Sequence, residues 1–200
     1  MDEAKQARRL APDERRGHLI EVSLEVFARK GYSETDLNDV AEAAGIRRTL
    51  IYHYFDGGKE SLYLAVLRHA WAELASRMTT DAERGPGLLP QNLRTYLDLI
   101  EAGDPAAEII RQSRRLDLAS VQETTRSASR VFAEGMITNQ LGLENPAQPM
   151  VSVMQSFLGF FEALVDEWSR QAVDRAQVEA AVAITLPAVA AAAREVGELR

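Results

Sequence analysis

The stretch Thr35–Lys59, TDLNDVAEAAGIRRTLIYHYFDGGK, constrains the fold more than any other part of the chain. Its first half predicts a short helix in which Ala41 is small enough for a close helix crossing. Gly45 follows, at a position that favours a residue able to adopt positive φ. A second short helix then carries Ile51 and Phe55, four residues apart, on its inner face. The pattern predicts two crossing helices joined by a tight turn.

The second of these helices carries polar and basic side chains on its remaining faces: Arg47, Arg48, Thr49, Tyr52 and His53. Such a helix suits the reading element of a DNA-binding helix-turn-helix. It is also compatible with an ordinary αα-hairpin that has a solvated basic edge. Spacing alone leaves both interpretations open.

A wider pattern around this segment, over residues 14–66, resembles the N-terminal domain of the TetR family of transcriptional regulators. The family pattern is a long amphipathic helix ending in Gly-aromatic, followed by Thr, Val-Ala, Ala-Gly and Tyr-x-Tyr-Phe. The residues that carry the resemblance are Phe27, Gly31, Tyr32, Thr35, Val40, Ala41, Ala44, Gly45, Tyr52, Tyr54, Phe55, Lys59 and Leu62. The chain departs from the pattern at Asp36, where Ser or Thr is common, at Arg47 and Thr49, and in a longer loop at residues 56–58.

The resemblance implies a set of DNA contacts in this domain. Base-edge contacts are expected from Arg47, Arg48, Thr49, Leu50 and His53. Contacts to the phosphate backbone are expected from Thr35, Tyr52, Tyr54 and Lys59. Asp36 is expected to cap its helix instead, because a carboxylate repels phosphate. The N-terminal arginines (Arg8, Arg9, Arg15 and Arg16) suit either a DNA-binding arm or a solvated tail.

Because the chain is acidic overall, any affinity for DNA must come from a local cluster of basic residues. Of the net charge of −7, residues 1–60 contribute −2, with 10 Lys or Arg against 12 Asp or Glu. Residues 61–200 contribute −5, with 13 against 18. A focused basic edge on an acidic body favours specific over nonspecific contacts. The chain has no cysteine, which excludes disulfides and thiolate chemistry. It shows no secretory or membrane-spanning pattern, so a cytoplasmic protein is expected.

The remaining sequence predicts an all-α protein. We expect an N-terminal three-helix helix-turn-helix DNA-binding domain at residues 12–60. A long helix from residue 59 or 60 to about Arg84 joins it, without a Gly/Pro linker, to a helical effector-binding and dimerisation domain at residues 61–200. Such a helix of ~25 residues spans ~37 Å and can transmit movement rigidly. Pro187 is expected to kink the last helix.

The last two predicted helices, within residues 150–168 and 178–196, are apolar around most of their girth. Such helices must be buried on more than one side, either in a monomer core or against a partner. The resemblance implies dimerisation through these two helices in a four-helix bundle. The expected interface residues are Phe157, Phe160, Phe161, Leu164, Trp168, Val182, Leu186 and Val189.

A ligand pocket is implied by the resemblance and by no motif of its own. Apolar residues that would line a pocket or fill a core are Trp71, Met78, Leu97, Ile100, Ile109, Phe132, Met136, Met154 and Phe157. Polar anchors or solvated side chains would be His69, Arg111, Arg114 and Arg115. No cofactor or metal is expected, since the three histidines lack metal-ligand spacing and no phosphate-binding loop or nucleophile elbow occurs.

Together these features favour a homodimeric regulator that binds double-stranded DNA at a palindromic operator. Repression, relieved by an unidentified small-molecule effector, is the expected mode, because a dimer on an operator blocks polymerase. Two alternatives remain: a helical-bundle enzyme, and a DNA-binding dimer that carries no ligand. A buried cluster of carboxylates would favour the enzyme, and an interior cavity would argue against the ligand-free dimer.

Overall fold

The computed structural model describes residues 11–78 and 88–198, and in these residues every regular element is an α-helix. The order is α1 (Pro12–Glu34), α2 (Leu37–Ala43), α3 (Arg48–Tyr54), α4 (Gly58–Met78), α5 (Leu88–Glu101), α6 (Pro105–Ser113), α7 (Ala119–Leu141), α8 (Gln148–Ser169) and α9 (Arg175–Glu198). The all-α prediction is therefore confirmed. The predicted end of the long helix near Arg84 lies outside the described residues.

Helix α1 supports the two short helices that follow it. Gly31 has a φ of +79° and interrupts the regular geometry, close to where the sequence predicted the end of this helix. The backbone of Gly31 is non-helical (ψ 164°), so the regular helix is broken at this glycine and a short helical turn follows to Glu34. An aromatic cluster fixes α1 against α4: the ring of Tyr63 lies edge-on to Phe27 and Tyr32, with centroids 5.0 and 4.9 Å apart. Such edge-to-face pairs add stability beyond the buried area.

Helix α6 packs against both α1 and α4 and thus joins the N-terminal helices to the rest of the chain. Asp104 caps α6 by accepting hydrogen bonds from the amides of Ala106 and Ala107 at 3.0 and 3.1 Å. The side-chain amide of Gln112 donates to the carbonyl oxygen of Ala28 on α1 at 2.9 Å. A direct side-chain hydrogen bond therefore links α6 to α1.

Helices α8 and α9 form the most extensive helix pair in the described structure. Their common core contains Met150, Met154, Val178 and Val182, all with at most a few per cent exposure. Helix α9 runs through Pro187, so the proline falls inside the helix as the sequence predicted. Arg175 anchors the start of α9 through ion pairs to carboxylates of α5 and of α9 itself.

Candidate nucleic-acid interface and interior cavity

The turn between α2 and α3 is built by local signals that the sequence already showed. The Asp36 carboxylate accepts a hydrogen bond from the Asn38 amide at 2.7 Å, and the Asp39 carboxylate accepts one from the Asp36 amide at 2.9 Å. This reciprocal capping box begins α2, and the predicted capping role of Asp36 is confirmed. Lys30 pairs with Asp39 at 2.7 Å and fixes α2 to α1; this pairing lowers the pKa of Asp39. Gly45 has the predicted positive φ, +63°.

Helix α3 has a buried face and a polar face, as its sequence predicted. Ile51 and the capping residue Phe55 are buried where α3 packs against α2 and α4, while Leu50 and Tyr54 are half-buried. The exposed residues are Arg47, Arg48, Thr49, Tyr52 and His53. Four of the five expected base-contacting side chains are thus free to enter a groove, with Leu50 at the edge of the core.

Arg48 is held in place on this polar face. Its guanidinium donates to the Tyr52 hydroxyl at 3.1 Å and lies 3.4 Å from the Asp36 carboxylate. The guanidinium carbon also lies 5.8 Å from the centre of the Tyr52 ring. The hydrogen bond that Arg48 donates to Tyr52 is the main cause that raises the pKa of Arg48. An arginine oriented in this way loses less side-chain entropy on binding.

A solvent-open groove lies between α3 and the start of α4, with basic, aromatic and glycine residues on its walls. Its lining is Thr35, Asp36, Leu37, Arg48, Tyr52, Asp56, Gly57, Gly58 and Lys59. Gly58 has a φ of +63°, and a Cβ there would lie 3.1 Å from the Tyr52 ring. Lys59 donates to the Ser33 carbonyl oxygen at 3.3 Å, and its ammonium lies 4.5 Å from the Tyr32 ring centre. The longer loop at residues 56–58 therefore places Tyr52 and Lys59 at one edge of this groove.

Thr35 does not fit the contact role that the resemblance implied. Its side chain is 2% exposed, and its hydroxyl donates to the Gly31 carbonyl oxygen at 2.7 Å. It therefore closes the end of α1 and leaves almost no side-chain surface for a phosphate. Arg16 packs over the Phe55 ring, with 5.0 Å between guanidinium carbon and ring centre. Arg8 and Arg9 lie outside the described residues.

An interior cavity of about 60 Å³ lies among α4, α5, α6, α7 and α8. Most of its wall is apolar or aromatic, with a few polar groups. The lining residues are Trp71, Leu74, Met78, Asn92, Leu93, Tyr96, Arg114, Ser129, Phe132, Met136, Leu158, Phe161 and Glu162. The indole of Trp71 and the ring of Phe132 are in contact, with centroids 5.2 Å apart and ring planes tilted by 59°.

Four of the nine predicted pocket residues line this cavity: Trp71, Met78, Phe132 and Met136. The other five, Leu97, Ile100, Ile109, Met154 and Phe157, lie outside the wall of this cavity. Four of these five are buried in the core, and Ile100 packs against it. Helical spacing placed them on inward faces but gave no information on which inward position borders a void. Of the four polar candidates, Arg114 lines the cavity, whereas His69, Arg111 and Arg115 do not.

Among the described residues of this cavity wall, Glu162 is the one acid, and it was not predicted from the sequence. It is 9% exposed, and its carboxylate accepts a 3.4 Å hydrogen bond from the buried Tyr96 hydroxyl. Burial is the largest cause that raises the pKa of Glu162 to about 7, and Arg114 opposes it most strongly. Burial also raises the pKa of Tyr96. The signal was present in the sequence, because Glu162 is an acid inside the apolar run FLGFFEALV.

The predicted interface residues divide into two groups. Phe157, Phe161, Val182 and Leu186 are buried within the protomer, which leaves them little surface for a partner, and Phe161 borders the cavity. Leu164, Trp168 and Val189 are half-buried, while Phe160 is 40% exposed. Ile184 is 77% exposed, although the sequence did not single it out.

Comparison with known proteins agrees with this geometry. The sequence profile described as "Bacterial regulatory proteins, tetR family" matches residues 19–66. The transcriptional activator FasR of Mycolicibacterium smegmatis is 28% identical over 158 residues, which span 74% of this chain and 70% of FasR. A TetR-family regulator from Streptomyces coelicolor has a crystal structure that is similar with a TM-score of 0.72 at 27% identity, covering 94% of this chain and 87% of that one. The structure of AibR with isovaleryl coenzyme A and operator DNA has the same fold, with a TM-score of 0.50 at 21% identity, over 73% of this chain and 83% of AibR.

A three-helix unit with an exposed polar α3, followed by a helical bundle, defines the chain as a helix-turn-helix DNA-binding regulator. Its residues 19–66 match the TetR family of transcriptional regulators, and a solved regulator of that family aligns with 94% of the chain. The members of this family are not enzymes, and the helical-bundle enzyme hypothesis is thereby set aside.

Proposed function

We propose that the protein acts as a homodimer that binds a palindromic operator through α3 and represses transcription until a small effector releases it. Residues 12–60 would read DNA, and residues 61–200 would dimerise and bind the effector. We propose repression and not activation of transcription, because a dimer bound to an operator blocks polymerase. The proposed place of action is the cytoplasm, where the DNA of a bacterium lies. The observation that carries the proposal is the exposed α3 face beside the groove that contains Arg48 and Lys59.

The contacts in the proposed complex fall into two kinds. Arg47, Arg48, Thr49 and His53 would contact base edges, with Leu50 close to a thymine methyl group. Tyr52, Tyr54 and Lys59 would contact phosphates and set the orientation of the helix. On binding DNA, Arg48 would leave the Asp36 carboxylate, which is 3.4 Å away, and would contact a base instead. This ion pair is exposed to solvent, so breaking it costs little free energy.

A second copy of the chain is proposed to cover the exposed apolar surface of α8 and α9. Helix α9 is long and apolar enough to cross a membrane by length and composition, and 22% of its apolar window is buried within the protomer. Ile184 and Phe160 expose apolar area on the two helices. The close packing of α9 on α8 favours a protein partner over lipid, because a twofold repeat of this pair makes a four-helix bundle.

The cavity supports an effector-binding function over the ligand-free dimer. Its wall includes Trp71 and Met78 of α4 and Arg114 at the end of α6. Helix α4 begins at the groove beside Lys59, and α6 contacts α1 through Gln112. An effector that prefers one arrangement of α4 and α6 would change the separation of the two reading helices, ~34 Å apart on successive major grooves.

The proposal is tested with an operator selected from a random duplex library. Arg48→Ala is expected to flatten the preference at particular base pairs, at a cost of ~1–3 kcal/mol. Lys59→Ala is expected to weaken binding to all sequences similarly and to lower the salt slope by ~1. Fluorescence anisotropy with operator variants at several salt concentrations measures both effects. An unchanged ranking of operator variants with Arg48→Ala would contradict its role as a base reader.

The coupling between the two sites has its own test. A hundredfold release of DNA requires ~2.8 kcal/mol of coupling. The operator must then weaken effector binding by the same factor, because coupling free energy is reciprocal. Titration of the effector with and without operator should therefore give affinities that differ a hundredfold. Equal affinities would rule out release by this route, and tighter binding on DNA would make the effector a corepressor.

A further inference from the structure

Within the described residues, the cavity contains one buried acid, Glu162, which is close enough to Arg114 and Arg111 for both to lower its pKa but forms an ion pair with neither. Glu162 is buried, its hydrogen bond from Tyr96 is long at 3.4 Å, and it forms no ion pair within residues 11–78 and 88–198. The two nearby arginines either pair with another carboxylate or are exposed to water. Arg111 pairs with Glu108 at 2.6 Å, and Arg114 is exposed to solvent. A buried carboxylate in this position is destabilised unless a positive charge reaches it.

The rest of the wall is suited to a cation attached to a hydrocarbon group. Four aromatic side chains, Trp71, Tyr96, Phe132 and Phe161, border the cavity together with Glu162. The faces of aromatic rings attract organic cations, most strongly where water is excluded. Leucine and methionine side chains supply the apolar remainder. An anionic ligand would be attracted by the exposed Arg114 in the same wall, but it would face the buried Glu162 carboxylate, and like charges repel strongly in a buried site.

We infer that this cavity binds a small apolar amine in its protonated form, with the ammonium group against Glu162 and the hydrocarbon part between the aromatic rings. The inference rests on the proposed function only in taking this cavity as the effector site. The cavity of about 60 Å³ limits the ligand to a compact molecule, or requires the wall to yield. Met78 and Met136 border it, and methionine is the side chain that adapts most easily to a new shape.

The electrostatic surroundings of Glu162 give the binding a defined pH dependence. Burial raises the pKa of Glu162 to about 7; Arg114, Arg111 and the hydrogen bond from Tyr96 lower it, and Asp166 raises it. The amine needs the ionised carboxylate, so its affinity should rise with pH up to about 7 and level off above it. Between pH 8 and pH 5.5 the ionised fraction falls about thirtyfold, and amine affinity should fall by about the same factor.

The test compares three probes that differ only in the head group: hexylamine, hexanol and hexanoate. Each is titrated by calorimetry into the full-length protein without DNA at pH 8 and at pH 5.5. At pH 8 we expect hexylamine to bind at least about tenfold more tightly than hexanol, and hexanoate to bind most weakly, as is typical of a partly buried charge pair. At pH 5.5 the advantage of the amine should disappear.

Two variants localise the effect. Glu162→Gln should reduce the preference for hexylamine over hexanol to within about threefold while hexanol still binds, because the apolar wall is unchanged. Glu167→Gln is the matched control, since Glu167 is on the same helix, pairs with Arg170 at 2.9 Å and lies outside the cavity wall. It should keep the full preference and the full pH dependence.

The inference is overturned if hexanoate or hexanol binds wild-type protein as tightly as hexylamine at pH 8, or if none of the three binds. It is also overturned if Glu162→Gln keeps the preference. These outcomes are independent of the proposed regulator function, which stands or falls on operator binding in the absence of any ligand. The comparison of probes on wild-type protein decides the matter even if the Glu162 variant does not fold.

Discussion

Glu162 should make the stability of the protein depend on pH in a way that one substitution removes. Burial raises its pKa to about 7 in the folded protein, against an ordinary value of 4.5 in the unfolded chain. The folded state therefore holds the proton more tightly than the unfolded state. Stability is unaffected below pH 4.5, falls as the pH rises from 4.5 to 7, and stays low above that range. At ~1.4 kcal/mol per pH unit, the full loss is about 3 kcal/mol.

Glu162→Gln keeps the shape of the side chain and an oxygen that can accept the hydrogen bond from Tyr96, but it cannot ionise. We therefore expect the variant to be more stable than wild type by ~2–3 kcal/mol at pH 8 and equal to it near pH 4.5. Urea unfolding at fixed protein concentration measures this difference, because a dimer's apparent stability depends on concentration. Glu167→Gln provides the comparison for loss of an exposed charge.

Three outcomes separate the explanations. A stabilisation by Glu162→Gln that grows between pH 4.5 and pH 7 supports the argument from burial. A difference between the variant and wild type that is the same at all pH values would refute it, since titration of Glu162 is its only source of pH dependence. Destabilisation at pH 8 would show that the carboxylate is paired more strongly than its contacts with Tyr96 and the nearby arginines indicate.

The remaining predictions concern the cap, the assembly and the groove. Asp36→Ala should destabilise α2 by ~1 kcal/mol in urea unfolding, while Asp36→Asn should retain most of the cap; equal losses would show that charge, and not the hydrogen bond, matters. Ile184→Glu should give monomers in sedimentation velocity with little loss of helical content, whereas Val131→Glu, 67% exposed on α7, should leave the dimer intact; a wild-type monomer at micromolar concentration would contradict the proposed interface. Gly58→Ala should weaken operator binding, because its positive φ strains an added side chain and the ring of Tyr52, 3.1 Å from the added Cβ, would have to shift.

The limits of several helices are set by signals that are local in the sequence. Asp36 begins α2, Pro105 follows the cap of α6, and Gly142 ends α7 with a φ of +68°. Each signal acts through hydrogen bonds or steric limits within about four residues of the chain. The exposed basic face of α3 followed from the same kind of information, because the spacing of residues along a helix decides which side chains share a face.

The sequence by itself thus determined an all-α chain, a helix-turn-helix near its start and the side chains that α3 presents to solvent. The tertiary structure decided which inward-facing residues border a void, because helical spacing cannot distinguish a filled core position from an unfilled one. It placed Phe161 in the cavity wall instead of the outer surface of α8, and it buried Thr35. It also brought Tyr96 and Arg114 to Glu162 from distant positions in the chain, and the pKa of that carboxyl depends on these long-range neighbours and on its burial.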